Sequence, residues 1–334
     1  MKLIFLALAM TMGVAMANAK DVKVTSPDGR VVVTISDNGG RVTYSATLDG
    51  KDMLVNSALG LKTNIGDFTS QLTITACEEK KVDHAYQMTR TKASSAHYVA
   101  NQAVVTLVNA YGYRMDLTMN VSDRDIAYRY SLPRGKDNNP KCAVIYSEAS
   151  SFNFPQHTTT FICPQSKTMA GWERTKPSYE EEYKADAPMT DKSAFGEGYT
   201  LPCLYHVGND GWVLVGETGV GSNYAASHLS DYDPQTGYTI TFPNPTELNG
   251  MGSQYAAIPL PGNTPWRTIT LGSTLQPIVE TTIPYDLVEP LYQPSIDYKP
   301  GRYTWSWLVW QDSSINYDDQ TKFIDLSAEM GFEY

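Results

Sequence analysis

The sequence has little positive charge. Its 334 residues include 26 Lys or Arg against 36 Asp or Glu, which gives a formal net charge of −10 at pH 7. A protein that binds nucleic acid presents a stripe of basic side chains to the phosphate backbone, and the sequence contains no such stripe. We therefore expect no nucleic-acid partner, and the acidic balance gives no reason to expect docking on anionic lipid.

Cysteine is also scarce. The four cysteines are Cys77, Cys142, Cys163 and Cys203. Their spacing does not suit a zinc site, which needs closely paired ligands. Two states remain open, namely free buried thiols or one disulfide bond, and the pair Cys142–Cys163 closes the shortest loop.

Long apolar runs are absent apart from one at the start. Lys2 precedes an apolar stretch that ends at Ala17, and Ala17-Asn18-Ala19 has the A-x-A pattern of a signal-peptide cleavage site. The stretch is shorter than the ~20 residues of a membrane-spanning helix. We predict a signal peptide over residues 1–19 that is cleaved after Ala19, no membrane insertion, and a periplasmic or secreted product.

Sustained helical periodicity is missing from Lys23 to about Thr274, where short strand patterns recur instead. The chain contains 22 Tyr, 24 Gly and 19 Pro, a mixture that favours many strands joined by turns. Strand candidates with alternating or apolar character are residues 41–48, 97–109, 113–121, 126–132, 159–163, 211–217, 238–242 and 266–271. We predict a mainly β fold, a large sandwich of antiparallel sheets over residues 20–283.

Two segments interrupt this pattern. Residues 172–198 are polar and acidic, and so long a loop inside a compact domain is usually functional or disordered. Residues 284–302 contain four prolines and are predicted to be a linker that leaves the sandwich.

Beyond the linker the pattern changes to strand, helix and strand. Residues 303–310 are aromatic and apolar, which is typical of a buried parallel strand. Asn316 can cap an amphipathic helix and Gly331 can end it, while residues 332–334 look like the start of another strand. We expect residues 303–334 to be the first strand and helix of a β/α barrel that is cut off after about one unit.

Five segments, spread over nearly the whole chain beyond the predicted signal peptide, carry a resemblance to a known family. They are Ser26-Pro27-Asp28-Gly29, Asp125-Ile126-Ala127-Tyr128-Arg129-Tyr130, Asn263-Thr264-Pro265-Trp266-Arg267-Thr268, Gly301-Arg302-Tyr303-Thr304-Trp305-Ser306-Trp307 and residues 318–334. Each is a weak motif by itself, whereas their shared order is specific. The sequence resembles glycoside hydrolase family 97, the exo-acting α-glucosidases and α-galactosidases of gut Bacteroidetes.

The resemblance implies an N-terminal β-super-sandwich of the galactose-mutarotase-like group, a central (β/α)8 barrel and a small C-terminal β domain. This chain would hold the sandwich and a truncated start of the barrel. The resemblance also implies a calcium ion at the active site, with one carboxylate ligand from the N-terminal domain and the others from the barrel. The catalytic acid and the base or nucleophile belong to the barrel, so no catalytic residue is assigned in this chain.

The resemblance assigns the calcium ligand of the N-terminal domain to Tyr179-Glu180-x-x-Tyr183, which is similar to the family's Y-E-x-x-Y segment. Glu180 is the residue carried over, and Glu182 is the alternative. A third alternative is that these carboxylates are solvated loop charges, and the calcium site is incomplete in this chain in any case. Trp172, which borders the acidic loop, is the best candidate for contact with a sugar ring.

Three further residues favour structural roles. Trp266 lies in a predicted strand beside Arg267, so we expect it to pack in the core or at a domain interface. His206 and His228 lie near strand ends, with no partner at the spacing of metal ligands.

We therefore expect the N-terminal, carbohydrate-binding-type module of a family 97 glycosidase that hydrolyses α-glucosides or α-galactosides. We expect an oligosaccharide or α-glycoside as its ligand and no hydrolase activity from this chain alone. Two alternatives stay open: a stand-alone carbohydrate-binding or assembly module, or one half of a split enzyme whose catalytic barrel is encoded separately.

Overall fold

The computed structural model describes residues 20–88, 91–135, 140–167, 181–246, 251, 253–292 and 295–334. The predicted signal peptide, residues 1–19, lies outside the described residues. The chain divides into two compact units, the first ending at Glu289 and the second running from Pro290 to Tyr334. Within the described ranges, no helix is both long and apolar enough to cross a membrane.

The first unit is built from strands. In chain order they are β1 (Asp21–Thr25), β2 (Val31–Ser36), β3 (Thr43–Leu48), β4 (Lys51–Ala58), β5 (Leu61–Thr63), β6 (Gly66–Asp67), β7 (Thr73–Gln87), β8 (Ser95–Val108), β9 (Arg114–Ser122), β10 (Asp125–Leu132), β11 (Cys142–Glu148), β12 (Ser151–Phe152), β13 (Thr159–Phe161), β14 (Ala187–Pro188), β15 (Tyr199–Thr200), β16 (Cys203–Val207), β17 (Gly211–Thr218), β18 (His228–Leu229), β19 (Tyr238–Thr241), β20 (Ala256–Pro259), β21 (Gly262–Asn263) and β22 (Trp266–Gly272). Two short helices follow, α1 (Gln276–Glu280) and α2 (Ile283–Leu287).

The described strands form four sheets. The largest has the order β14-β13-β16-β17-β22-β10-β9-β8-β7, with β21 paired to β10. The others have the orders β1-β2-β3-β4, β20-β11-β5-β6 and β12-β19-β18-β15. All pairings among these strands are antiparallel. The mainly β sandwich predicted from the sequence is confirmed, and no closed barrel occurs in the part of the chain that the structure describes.

The alternation of apolar residues decides which face of each strand is buried. In β3, Tyr44, Ala46 and Leu48 are buried, while the polar residues between them are partly exposed, as expected for a strand with one face on a core. Strand candidates such as 113–121 and 211–217 agree with β9 and β17 to within a residue. The core between the sheets is therefore encoded by the period-two pattern of the sequence.

Strand β22 differs because all seven of its residues are buried. Ile269 and Leu271 join the main core, whereas Trp266 packs on the opposite face. The second, smaller cluster around Trp266 contains Tyr98, Ala100, Ala127 and Ile283. Since Ile283 begins α2, the short helices cover the outer face of the large sheet where β22 crosses it.

All four cysteines are unpaired. Cys203 is buried, Cys77 and Cys163 are partly buried, and Cys142 is exposed. Of the two states left open by the sequence, the structure has the free thiols, and Cys142 and Cys163 do not form the short disulfide loop.

The second unit contains two helices, α3 (Trp307–Trp310) and α4 (Tyr317–Glu329). Asn316 caps α4, because its side-chain oxygen accepts the N–H of Asp319 at 2.9 Å. Gly331 follows the helix with a φ of 63°, the left-handed conformation expected of a residue just past a helix end. The predicted helix, its cap and its terminating glycine are confirmed.

The predicted strand over residues 303–310 is wrong: none of these residues lies in a strand, and residues 307–310 form α3. A parallel strand needs a neighbour along its whole length to satisfy its N–H and C=O groups. Here the N–H of Tyr334 donates to the carbonyl of Arg302 at 3.2 Å, and the N–H of Thr304 donates to the carbonyl of Tyr334 at 3.3 Å. These two bonds have the pattern of parallel neighbours, but beyond Thr304 the backbone bonds locally and becomes helical.

Candidate functional site

The structure describes one of the three predicted site residues. Glu182 is exposed, while Trp172 and Glu180 lie outside the described residues. Calcium takes about six to eight oxygen ligands, and the described ranges contain no group of three or more His, Cys, Asp or Glu side chains that could hold a metal ion. The described residues therefore do not fit a calcium site by themselves, and the roles of the three residues stay predictions.

Arg267 is the centre of a buried polar network inside the sandwich. Its side chain is 1% exposed, and that of Glu148 is completely buried. Nε of Arg267 donates to Oε1 of Glu148 at 3.0 Å, and Nη2 donates to Oε2 at 2.6 Å. Nη1 donates to a carboxylate oxygen of Glu217 and to Oγ of Ser227, the latter at 2.9 Å. One guanidinium thus holds two carboxylates from different strands.

Neighbouring groups complete this network. The backbone N–H and the hydroxyl of Ser227 both donate to Glu217, at 3.0 and 2.6 Å, and the hydroxyl of Tyr224 donates to Oε2 of Glu148 at 3.3 Å. Burial alone would lower the pKa of Arg267, but the two carboxylates, Glu148 above all, hold it well above its usual range. Both carboxylates are therefore held in ion pairs with the same side chain.

The sequence indicates that Arg267 needs buried partners, but it does not indicate which residues they are. Arg267 lies within a run of strand residues that reads as buried, and a buried cation needs an anionic partner. Glu148 and Glu217 lie 119 and 50 positions away along the chain, so only the fold identifies them.

Trp266 has the packing role that its strand position predicts. It is 6% exposed, and the guanidinium of Arg129 lies over its ring, 4.3 Å from the centroid. Burial lowers the pKa of Arg129, while the ring face provides a partner for the cation. Trp266 is therefore unavailable for stacking on a sugar.

Asp125 is a second buried carboxylate near the short helices. Its Oδ1 accepts the hydroxyls of Thr270 at 2.5 Å and Thr281 at 2.8 Å, and Nε of Arg124 lies 3.5 Å from Oδ2. Burial raises the pKa of Asp125 to about 6, although the two threonine hydroxyls oppose the shift. This group therefore titrates above the usual range for an aspartate.

A cleft of the sandwich, which we call the tyrosine cleft, is bordered by two aromatic side chains. Tyr146 and Tyr255 form one wall, with ring centroids 5.4 Å apart and ring planes at 86°. The two tyrosines meet because β11 pairs with β20 and sets Ile145 opposite Ala256. Both rings are 42% exposed, and the cleft has a volume of about 550 Å³.

Polar groups line the rest of the tyrosine cleft. They come from Glu148, Glu197, Asp231 and Asn244. Nδ2 of Asn244 donates to Oε2 of Glu197 at 3.1 Å, and the N–H of Ser193 donates to Oδ1 of Asp231 at 2.8 Å. The cleft thus combines an aromatic wall with oriented carboxylates and an amide.

The two histidines are separated in space. His206 stacks on Trp212, with centroids 4.0 Å apart and ring planes at 13°, which agrees with the structural role that we predicted. His228 lines the tyrosine cleft. A further cleft of about 670 Å³ lies on the outer face of the large sheet and includes Glu217 and Ser227. The Arg267 network therefore reaches the lining of both clefts.

The chain is similar to known glycosidases over its whole described length. The family described as "Glycosyl-hydrolase 97 N-terminal" matches residues 24–290. A probable retaining alpha-galactosidase of Streptomyces bingchenggensis is 25% identical, over 98% of this chain and 48% of that protein. A retaining alpha-galactosidase of Bacteroides thetaiotaomicron is 24% identical, over 100% of this chain and 52% of that protein. The chain spans about half the length of the curated relatives it matches.

Solved structures agree with this assignment. The crystal structure of a beta-arabinopyranosidase is 52% identical and superposes with a TM-score of 0.89, over 94% of this chain and 50% of that one. A glycoside hydrolase family 97 enzyme from Pseudoalteromonas sp. strain K8, in complex with panose, is 20% identical and has a TM-score of 0.73, over 93% of this chain and 46% of that one. The second likeness shows the fold alone. Because the family match covers most of the chain, this protein belongs to the glycosyl-hydrolase 97 family, whose N-terminal domain it contains.

Proposed function

We propose that this chain is the N-terminal part of an exo-acting glycosidase that cleaves α-galactosides or β-arabinopyranosides. The observation that carries the proposal is the half-length match to named glycosidases, which begins near the start of the chain and includes the 52% identical beta-arabinopyranosidase. In this proposal the sandwich supports the enzyme, and a following barrel performs the hydrolysis.

The two substrate classes are stereochemically related. An α-D-galactopyranoside and a β-L-arabinopyranoside have the same arrangement of ring hydroxyls and of the glycosidic bond, and they differ by one exocyclic hydroxymethyl group. A single pocket can therefore accept both. The α-glucosides that the sequence resemblance also allows differ in the orientation of a ring hydroxyl, so we place them second.

The buried carboxylates of this chain do not supply the hydrolytic pair. A retaining glycosidase needs two carboxyl groups ~5–5.5 Å apart on either side of the scissile bond, whereas Glu148 and Glu217 are bound to the same guanidinium inside the sandwich. In the second unit, the parallel hydrogen bonds between Tyr334 and residues 302–304, with α4 between them, support the start of a β/α barrel.

Three further parts of the proposal rest on the sequence and its resemblance. Residues 1–19 direct export to the periplasm or the medium. Glu180 or Glu182 supplies one carboxylate to a calcium ion whose remaining ligands come from the barrel. Trp172 contacts the substrate from the acidic loop. The barrel follows on the same polypeptide or is a separate partner chain.

A chimera tests the proposal. This chain would be joined at Tyr334 to the remaining C-terminal half of the 52% identical beta-arabinopyranosidase and assayed with p-nitrophenyl α-galactoside, β-L-arabinopyranoside and α-glucoside in the presence of calcium. We expect turnover of the first two substrates by the chimera, and none by this chain alone or by the C-terminal half alone. Turnover by the purified chain alone, or an inactive but folded chimera, would contradict the proposal.

A further inference from the structure

The tyrosine cleft has the dimensions and lining of a small-ligand site. Its volume of about 550 Å³ lies within the range of ~300–1,000 Å³ that is typical of such sites. We propose that the tyrosine cleft binds a neutral pyranose unit of a glycan. This proposal goes beyond the proposed function, because it depends on the residues of the cleft and not on hydrolysis.

The aromatic wall provides the apolar half of a sugar site. Tyr146 and Tyr255 meet edge to face, and both line the cleft while each stays 42% exposed. The weakly positive C–H groups on one side of a pyranose match the negative face of such a ring, as the edge of an aromatic ring does. Tyr146 lies in β11 and Tyr255 directly precedes β20, which pairs with β11, so the pairing sets the two rings beside each other before a ligand arrives.

The polar groups provide the other half. Sugar hydroxyls donate and accept, and carboxylates accept at two oxygens. Asp231 uses Oδ1 for the N–H of Ser193, while no donor among the described residues reaches its Oδ2. Glu197 is oriented by Asn244, which presents an amide beside a carboxylate. Groups that are already held in place lose little freedom on binding, and this favours affinity.

The charge of the cleft selects among sugars. Arg267 forms ion pairs with Glu148, which lines the cleft, and with Glu217. No cation in the described ranges forms an ion pair with Glu197 or Asp231. A uronic acid would bring a third carboxylate and be repelled. A metal ion is a poor alternative, because the described residues offer no group of three metal-binding side chains. A neutral pyranose satisfies the hydrogen-bonding groups without adding charge.

Binding to the purified full chain tests the proposal. The probes are methyl α-D-galactopyranoside, methyl β-L-arabinopyranoside, methyl α-D-glucopyranoside and galacturonate, each followed by saturation-transfer NMR and titration calorimetry. We expect saturable binding of at least one of the methyl pyranosides and none of galacturonate. Tyr255→Ala and Asp231→Asn should each weaken the binding at least tenfold.

Tyr111→Ala is the matched control, because Tyr111 is 82% exposed and lies outside the cleft lining. It should bind like the unchanged chain, and near-UV circular dichroism should show that all three variants are folded. No saturable binding of any methyl pyranoside, binding of galacturonate as strong as that of the neutral sugars, or equal weakening by Tyr111→Ala would each overturn the proposal. These outcomes are independent of whether the chimera hydrolyses glycosides.

Discussion

Arg267 holds Glu148 through two parallel hydrogen bonds in the interior of the sandwich, Nε to Oε1 at 3.0 Å and Nη2 to Oε2 at 2.6 Å. This geometry uses the planar fork of the guanidinium, which a lysine cannot reproduce. It connects β22, in the middle of the large sheet, to β11, which carries the aromatic wall of the tyrosine cleft. The pair therefore fixes the floor of the cleft to the core.

Removal of the guanidinium should be costly. Arg267→Met leaves two carboxylates without their cation in the interior, and such a loss typically costs about 3–5 kcal/mol. Arg267→Lys keeps the charge but loses the fork, so we expect a smaller decrease in the free energy of unfolding by urea. Arg30→Ala is the control, since its ion pair with Asp49 is half exposed and should leave the urea midpoint nearly unchanged. Equal effects of Arg267→Met and Arg30→Ala would contradict the structural role of the network.

Asp125 should make stability depend on pH. Its pKa is about 6 in the folded chain against 3.8 for the ordinary group, so between these values the folded state keeps a proton that the unfolded state has released. Raising the pH through this window therefore lowers the free energy of unfolding, by on the order of 3 kcal/mol. This decrease in the free energy of unfolding should be absent below about pH 4 and complete above about pH 6.

Asp125→Asn removes this titration and retains an oxygen for the two threonine hydroxyls. Relative to the unchanged chain, we expect the variant to gain stability as the pH rises from 4 to 7, measured by urea unfolding at each pH. Asp123→Asn, at an exposed position of the same turn, is the control. A constant difference between Asp125→Asn and the unchanged chain over this range would contradict the assignment.

Alanine substitutions at two glycines distinguish the cost of backbone strain from the cost of steric overlap. Gly29 and Gly198 have φ angles of +80° and +82°, so alanine is strained at either position by roughly 1–2 kcal/mol. A Cβ at Gly29 meets no atom within 4 Å, whereas a Cβ at Gly198 would overlap the backbone carbonyl of Leu229. We expect Gly29→Ala to fold with a modest loss in the urea midpoint and Gly198→Ala to lose much more. Similar decreases in the urea midpoint for the two variants would show that the backbone at Leu229 moves easily to accommodate the added Cβ.

The cap of α4 can be tested locally. Asn316→Ala removes the acceptor for the N–H of Asp319, which should destabilise the helix by ~1 kcal/mol. Amide hydrogen exchange over residues 317–329 should become faster, while exchange in the sandwich stays the same. Asn316→Ser retains an oxygen acceptor and should exchange like the unchanged chain; fast exchange in both variants would point to another role for the asparagine.

The sequence predicts those parts of the fold that depend on local pattern. The alternation in residues 41–48, which contain β3, and the helix between Asn316 and Gly331 were identifiable from the sequence. The period of the strand, and the cap and terminator of the helix, each depend on residues close together along the chain. The strand over 303–310 failed because an apolar run adopts a parallel strand only beside neighbours, and only Arg302 and Thr304 find one among the described residues. Local composition could not reveal this.

The residues of the candidate site were harder to predict from the sequence than the fold was. Tyr146 and Tyr255 lie far apart along the chain and form one wall only after β11 pairs with β20. The position of Arg267 in a buried strand indicated that it needs an anionic partner. That this partner is Glu148 follows from the register of strands that are distant along the chain. Glu180 came from the family resemblance and Trp172 from its position beside the acidic loop, and both remain predictions.

The position of β22 also bears on how the chain acquires its structure. It is the last of the described strands, yet it lies between β17 and β10 in the large sheet. Until residues 266–272 are in place, the strands β7 to β10 and the strands β13, β14, β16 and β17 remain separate pieces, with open edges that can pair wrongly. Their union depends on contacts between segments far apart along the chain, which form slowly. Folding of the sandwich should therefore finish in one late step, after this strand has left the ribosome.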